Sequence, residues 1–162
     1  MEDIEKRIHI IAEKYSDMIF RVAYSYTNNR QDAEDIVQDM FVKLIELDKP
    51  FESDEHEKAW IIRVTVNLCK NRLKLFWNKN TCALTEISDA AHFDNKEGFV
   101  LEAVMSLAEN YRIIVYLYYY EGYKTAEIAK ILKKREASVR SALHRAREQL
   151  KTILKEDYDF EQ

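Results

Sequence analysis

The sequence predicts an all-α protein of two small helical domains joined by a flexible linker, and three observations predict it. Its 162 residues include two glycines and one proline, too few for the positive-φ turns that all-β domains and phosphate-cradling loops need. Apolar residues recur three and four positions apart along most of the chain, the period of amphipathic helices. Residues 78–96 lose that period and separate blocks of opposite charge. Composition agrees: 47% apolar and 33% charged residues supply both a core and a solvated surface. The length suits one ordinary domain or two small ones, each near the size at which a single core is just adequate.

Ile4, Ile8, Ile11, Tyr15, Met18 and Val22 form one stripe and predict a first helix over 3–26. Asn28 and Asn29 break it, and Asn29, three residues before Asp32, suits the N-cap of a second helix. Ala33, Ile36, Val37, Met40, Phe41 and Leu44 supply the buried face of that helix. Pro50 lies in a polar connection, after which Ser53 or Asp54 caps a third helix running to about Trp77, with Ala59, Ile62, Val66, Cys69 and Leu73 inward. These elements define an N-terminal domain over 1–77 and a linker over 78–96.

Beyond the linker, Val100, Val104 and Leu107 predict a short helix, and Ile113, Ile114 and Leu117 the next. Residues 116–120 are rich in tyrosine and favour a strand by composition, but no neighbouring segment offers a pairing partner, so they are predicted helical and ended by Gly122. Ile128, Ala129 and Leu132 mark one more short helix, and Val139, Leu143, Ala146 and Leu150 a longer last one. The C-terminal domain therefore spans 97–155, and the acidic tail over 156–162 is predicted to fray.

Several function classes are excluded at this level. Cys69 and Cys82 cannot frame a small secreted scaffold, the N-terminus is acidic where a signal peptide is basic, and no apolar run approaches a membrane span. A cytoplasmic protein without membrane insertion is expected. His9, His56, His92 and His144 are dispersed, no H-E-x-x-H or glycine-rich loop occurs, and no nucleophile stands beside a base. Neither an enzyme nor a resident metal or cofactor is expected; Cys69, Cys82 and His92 lack metal-ligand spacing, and Cys69 is most simply a small core residue.

The net charge of −4 conceals a partition: −8 over 1–57, +6 over 58–80, −5 over 81–123, +6 over 124–151 and −3 beyond. Two basic stretches, each about a helix long, point to a polyanion contacted at two places, or else to two solvated helix faces. In the second, a short helix, a turn and a longer helix present Arg140, Ser141, His144, Arg145 and Glu148 outward. That is the layout of a helix-turn-helix, whose second helix enters the major groove, and also of a plain helical hairpin with a basic face. In the first, Arg63, Asn67, Lys70 and Lys74 recur opposite the apolar stripe, with Trp60, Phe76 and Trp77 nearby. Cations and amides can hold phosphates while aromatics stack on unpaired bases, although Trp60 also suits the core. On the second helix Asp32, Asp35, Asp39 and Glu46 share a face with Gln38 and Val42. Carboxylates four apart repel modestly, so something basic opposite would relieve Asp35 and Asp39. An exposed Val42 among them suggests a protein interface.

Three segments carry a family resemblance. Residues 32–41, Asp-Ala-Glu-Asp-Ile-Val-Gln-Asp-Met-Phe, resemble the polymerase-binding segment of the two-domain sigma factors of bacterial RNA polymerase, the extracytoplasmic function group. Residues 59–68, Ala-Trp-Ile-Ile-Arg-Val-Thr-Val-Asn-Leu, resemble that group's promoter-melting segment, and Tyr111-Arg112, Glu121-Gly122, Glu127-Ile128-Ala129 and 138–147 are similar to its DNA-binding domain. The resemblance spans roughly 8–154 in the right order. It departs at Ala108, where the family usually has proline, at Lys124, often a Ser or Thr cap, and at Lys133 and Arg135, where Gly and Ser are usual.

The resemblance implies that core RNA polymerase and promoter DNA are partners, and it allows for an anti-sigma factor. It places polymerase binding on Asp35, Gln38, Asp39, Phe41 and Val42, and contacts to the −10 element on Trp60, Arg63, Asn67, Lys70, Asn71 and Lys74. Contacts to the −35 element fall on Arg140, Ser141, His144 and Arg145, with Lys124, Lys133, Lys134, Arg135 and Lys151 mainly on phosphates. Two other readings keep the same helices. A stand-alone helix-turn-helix regulator would bind duplex without polymerase, and a helical interaction protein would show no salt-sensitive DNA binding.

Overall fold

A computed structural model describes residues 2–47, 50–79 and 96–158. The chain divides into two compact units, Met1–Glu86 and Ile87–Gln162, each described by itself. Among the described residues there are seven helices and no strand: α1 (Glu2–Thr27), α2 (Arg30–Glu46), α3 (Asp54–Lys79), α4 (Lys96–Met105), α5 (Glu109–Val115), α6 (Thr125–Leu132) and α7 (Glu136–Tyr158). None is long and apolar enough to cross a membrane.

In the first unit α1 packs on both α2 and α3. Ile19, Val22, Ile36, Met40, Leu44, Ile61, Ile62 and Val66 are almost wholly buried, each worth roughly 1.5–3 kcal/mol of transfer free energy. The α1–α2 corner follows its sequence: Asn28 takes a left-handed φ of 49°, which asparagine tolerates better than most residues. The Asn29 side chain then accepts the Asp32 N–H at 2.9 Å. Ser53 is the residue that caps α3, its Oγ accepting the His56 N–H at 3.1 Å. Long side chains tie the three helices. Arg7 donates to the Leu44 and Leu47 carbonyls at 3.2 and 3.0 Å, satisfying acceptors that the end of α2 leaves open. Lys14 lies 3.6 Å from Asp54 and 3.7 Å from Glu57 at the start of α3.

In the second unit Leu107, Ile113, Ile114, Leu117, Ile128, Val139, Leu143 and Ala146 form the core. Ala108 precedes α5 with φ −63°, a value proline would adopt. The tyrosine-rich stretch is helical as expected, but as a π-helical turn, Tyr116–Tyr120, in which Glu121 N–H reaches the Tyr116 carbonyl at 3.2 Å. Widening the helix stacks Tyr116 on Tyr120, centroids 5.1 Å apart. Gly122 then ends the element at φ +77°.

Some expectations are corrected. Ile4 and Val100, placed on buried stripes, are 46% and 44% exposed because each sits in the first turns of a helix that starts beyond the core. Val37, Phe41 and Val104 are half-buried, on the margins of their faces. Helix α3 runs on to Lys79 and α4 begins at Lys96, so both ends of the segment read as a linker are helical, and α7 continues through Tyr158 into the segment read as a tail. The rest of both segments, with Cys82 and His92, lies outside the described residues, as do the side chains of Phe76 and Trp77. Cys69 is in the core, where burial pushes its thiol up to about 12, so at neutral pH it is a packed, unreactive side chain.

Lys133 takes the left-handed conformation at φ 56°. An L-residue there costs about 1–2 kcal/mol, partly offset by the greater unfolded-state freedom of glycine. Lys133→Gly is therefore expected to stabilise the second unit by about 0.5–1 kcal/mol, read as a higher urea midpoint; a lower midpoint would show that Lys133 makes a contact worth more than its strain.

Candidate nucleic-acid and protein interfaces

On α2 the acidic side chains divide. Arg72, from α3, donates to Asp35 at 2.8 Å and to Asp32 at 3.2 Å, and Gln31 adds a bond to Asp35 at 3.1 Å. Arg72 thus relieves Asp35, as the carboxylate spacing called for, but its second partner is Asp32 and not Asp39; Asp35 is tied to α3 while half-exposed. Asp39 and Gln38 are exposed, together with Val42 at 52% and Ile45 at 54%. Two exposed β-branched residues one turn apart, flanked by an amide and a carboxylate, form a small apolar patch with a polar rim, the anatomy of a protein interface. Phe41 is half-buried. Ile45 was missed by sequence reasoning, although it lies at i+3 from Val42 and i+7 from Gln38.

Along α3, Asn67, Lys70, Asn71 and Lys74 are all exposed on one face, and Arg63 begins the row half-buried, its Nε enclosed without a hydrogen-bond partner. Trp60 is neither core nor free. Its ring centroid lies 5.3 Å from that of Phe51, which also meets His56 edge-on at 5.5 Å. The loop before α3 and the first turns of α3 therefore share an aromatic cluster beside the cationic row. Phe51 went unnoticed in the sequence, and its one signal was an aromatic just after Pro50 in a connection otherwise polar.

In the second unit α6, the turn 133–135 and α7 form a helix-turn-helix. Val139, Leu143 and Ala146 are buried against the core, which turns Arg140, Ser141, His144 and Arg145 to solvent. Lys124 stands at the N-cap position of α6 with no side-chain acceptor to offer; instead its N–H donates to Glu127 at 2.8 Å. Lys134 and Arg135, exposed just before α7, place cations where the helix macrodipole disfavours them; nearby phosphates would reverse that penalty. Lys134, Ser138, Ser141 and Arg145 line one open groove of about 400 Å³ with Asn110 and Tyr111 of α5. Lys124 and Lys151 are exposed but are not part of it.

Arg147 lies in the same basic run and is exposed, yet it is engaged by tyrosines of its own unit. Its Nε donates to the Tyr119 hydroxyl at 2.6 Å, and its guanidinium sits 5.2 and 5.5 Å from the centroids of Tyr118 and Tyr119. It braces the π-helical turn against α7, a role that the basic run in the sequence hides.

Residues 11–75 match the sigma-70 region 2 family and residues 100–150 the sigma-70 region 4 family. Relatives include the ECF RNA polymerase sigma factor SigE of Mycolicibacterium smegmatis, 28% identical over 89% of this chain and 60% of its own length. The ECF RNA polymerase sigma factor SigW of Bacillus subtilis is 24% identical over 90% of this chain and 88% of its own. Among solved structures, the sigma factor RpoE in complex with the anti-sigma factor NepR from Bartonella quintana shares the fold, with TM-score 0.74 and 20% identity over 96% of this chain and 98% of that one. CnrH in complex with the cytosolic domain of CnrY matches with TM-score 0.62 and 20% identity over 94% and 90%.

Proposed function

We propose how the work is divided along this chain, which belongs to the extracytoplasmic function group of the sigma-70 family and so binds core RNA polymerase and directs promoter recognition and transcription initiation. The N-terminal domain, 1–77, docks on polymerase through α2 and engages the −10 element through α3 and the loop carrying Phe51. The C-terminal domain, 97–155, reads the −35 element with α7. Residues 78–96 join the two, and 156–162 form an acidic tail. The chain itself performs no catalysis and works in the cytoplasm, where polymerase supplies the chemistry. An anti-sigma factor is a further partner, since the sigma factor RpoE, of similar fold, is held by one.

The observation that carries this reading is the exposed face of α7: Arg140, Ser141, His144 and Arg145 project together from a helix whose opposite side is core. Arginine pairs with guanine through two hydrogen bonds worth about 1–3 kcal/mol of discrimination, whereas a lysine on phosphate carries no sequence information. Arg145→Ala is expected to relax preference at one or two base pairs. Lys134→Ala is expected to weaken all sequences alike and to lower the salt slope by about one unit. Binding of the polymerase complex to point-mutated promoters at several salt concentrations separates the two; uniform loss in the arginine variant would leave only electrostatic anchoring.

Promoter opening tests the α3 face. Stacking a base on an aromatic ring is worth about 1–3 kcal/mol, and the row from Arg63 to Lys74 runs away from the Phe51–Trp60 cluster along one helix face. Arg63→Ala and Lys70→Ala are expected to reduce permanganate reactivity of the opened −10 region more than they reduce initial docking. Normal opening in both would remove this assignment.

A further inference from the structure

Glu136, the first residue of α7, faces two partners through one oxygen. Its Oε2 accepts the Thr125 hydroxyl, from the first residue of α6, at 3.0 Å, and lies 3.4 Å from Arg140 Nη1 one turn along α7. An exposed i,i+4 ion pair by itself hardly restrains either side chain. Here the carboxylate is also tied to the other helix, across the turn 133–135, which restricts it more than the ion pair alone. Arginine is otherwise a long side chain with many rotamers. Engaging one Nη leaves the rest of the five-donor fork free for a base edge.

We propose that Glu136 is a positioning residue for promoter readout: tethered by Thr125, it holds the Arg140 guanidinium in the orientation that discriminates a base pair of the −35 element. The inference rests on the assignment of α7 to −35 readout. It also has a signature that neither packing nor simple charge would give. A carboxylate at the DNA face repels phosphates, so its neutralisation strengthens binding to any sequence, while loss of the oriented fork weakens discrimination at one position. Affinity and selectivity then move in opposite directions, as expected of a residue that trades attraction for specificity.

The test uses the full chain with core polymerase and a promoter set carrying single substitutions across the −35 element, in competition with nonpromoter duplex. Arg140→Ala is expected to lower discrimination at one base pair by about tenfold. Glu136→Gln, which keeps an acceptor for Thr125, is expected to lower it at the same base pair by roughly threefold, with nonspecific binding at least as tight as in the parent chain. Thr125→Val is expected to lower it there too, and Glu136→Gln with Arg140→Ala to be no worse than Arg140→Ala alone. If Arg140→Ala narrows discrimination and Glu136→Gln leaves it intact, positioning by Glu136 is refuted while −35 readout by α7 stands. If Arg140→Ala changes nothing, the readout assignment fails and takes the inference with it. A uniform loss of affinity in Glu136→Gln, with a lowered melting temperature, would make Glu136 a fold-stabilising residue and overturn the proposal.

Discussion

Arg112→Met is expected to destabilise the second unit by about 2–4 kcal/mol, measured by urea unfolding followed through helix content. Arg112 is 8% exposed, and its Nη1 donates to the Leu107 carbonyl at 2.6 Å and the Met105 carbonyl at 3.3 Å. Both acceptors lie where α4 ends and the chain turns into α5, so the backbone there has no next helical turn to bond to. Methionine matches the length and apolar stem of arginine but offers no donor. Two buried carbonyls would then go without the partner that holds them, each at about 1–3 kcal/mol. Arg112→Lys should recover part of the loss, because an ammonium can reach one carbonyl but cannot reproduce the planar fork. A change within about 0.5 kcal/mol for Arg112→Met, the range of ordinary surface substitutions, would show that water replaces the guanidinium without cost.

Asp39→Lys is expected to weaken binding of core polymerase by several kcal/mol while leaving helix content unchanged, read as loss of capture in a pull-down with core enzyme. The site choice comes from the structure. Asp35 shares the same helix face in sequence, but Asp35→Lys would also set a cation against Arg72 and disturb the α2–α3 contact. Any loss of polymerase binding in that variant would mix interface with fold. Asp39 is exposed, so its reversal reports on the interface alone. Val42→Asp and Ile45→Asp should produce comparable losses by wetting the apolar patch at the centre of the proposed contact. Unchanged capture in all three would remove α2 as the polymerase-binding element.

Arg72 also makes the two faces of the first unit one structure. It is rooted in the helix assigned to promoter opening and ends on the carboxylates beside the face assigned to polymerase binding. Its pairs are half-exposed and contribute modestly to stability. Their effect on geometry is to tie Asp32 and Asp35 to α3, while Asp39 stays exposed.

What the amino-acid sequence determined by itself is everything encoded within a turn or two of chain. The apolar period located α1, α2, α3, α6 and α7; Asn29 located one helix start and the pair Ser53 and Asp54 another through their short polar side chains; Gly122 marked the stop after the tyrosines. The outward face of α7 followed from the inward one, because a helix that buries Val139, Leu143 and Ala146 has no other direction for Arg140, His144 and Arg145. What only the tertiary structure decided is which long side chain meets which distant partner. Arg7 on the end of α2, Arg72 on Asp32 and Asp35, Arg112 on the end of α4, Phe51 on Trp60 and Arg147 on the tyrosines all depend on how elements cross within a unit. Arginines in one basic run look alike in sequence, and both are exposed, yet Arg145 lies on the outward face of α7 while Arg147 is engaged by Tyr118 and Tyr119. The difference lies in a 200° turn of the helix between them and in what the fold places opposite each.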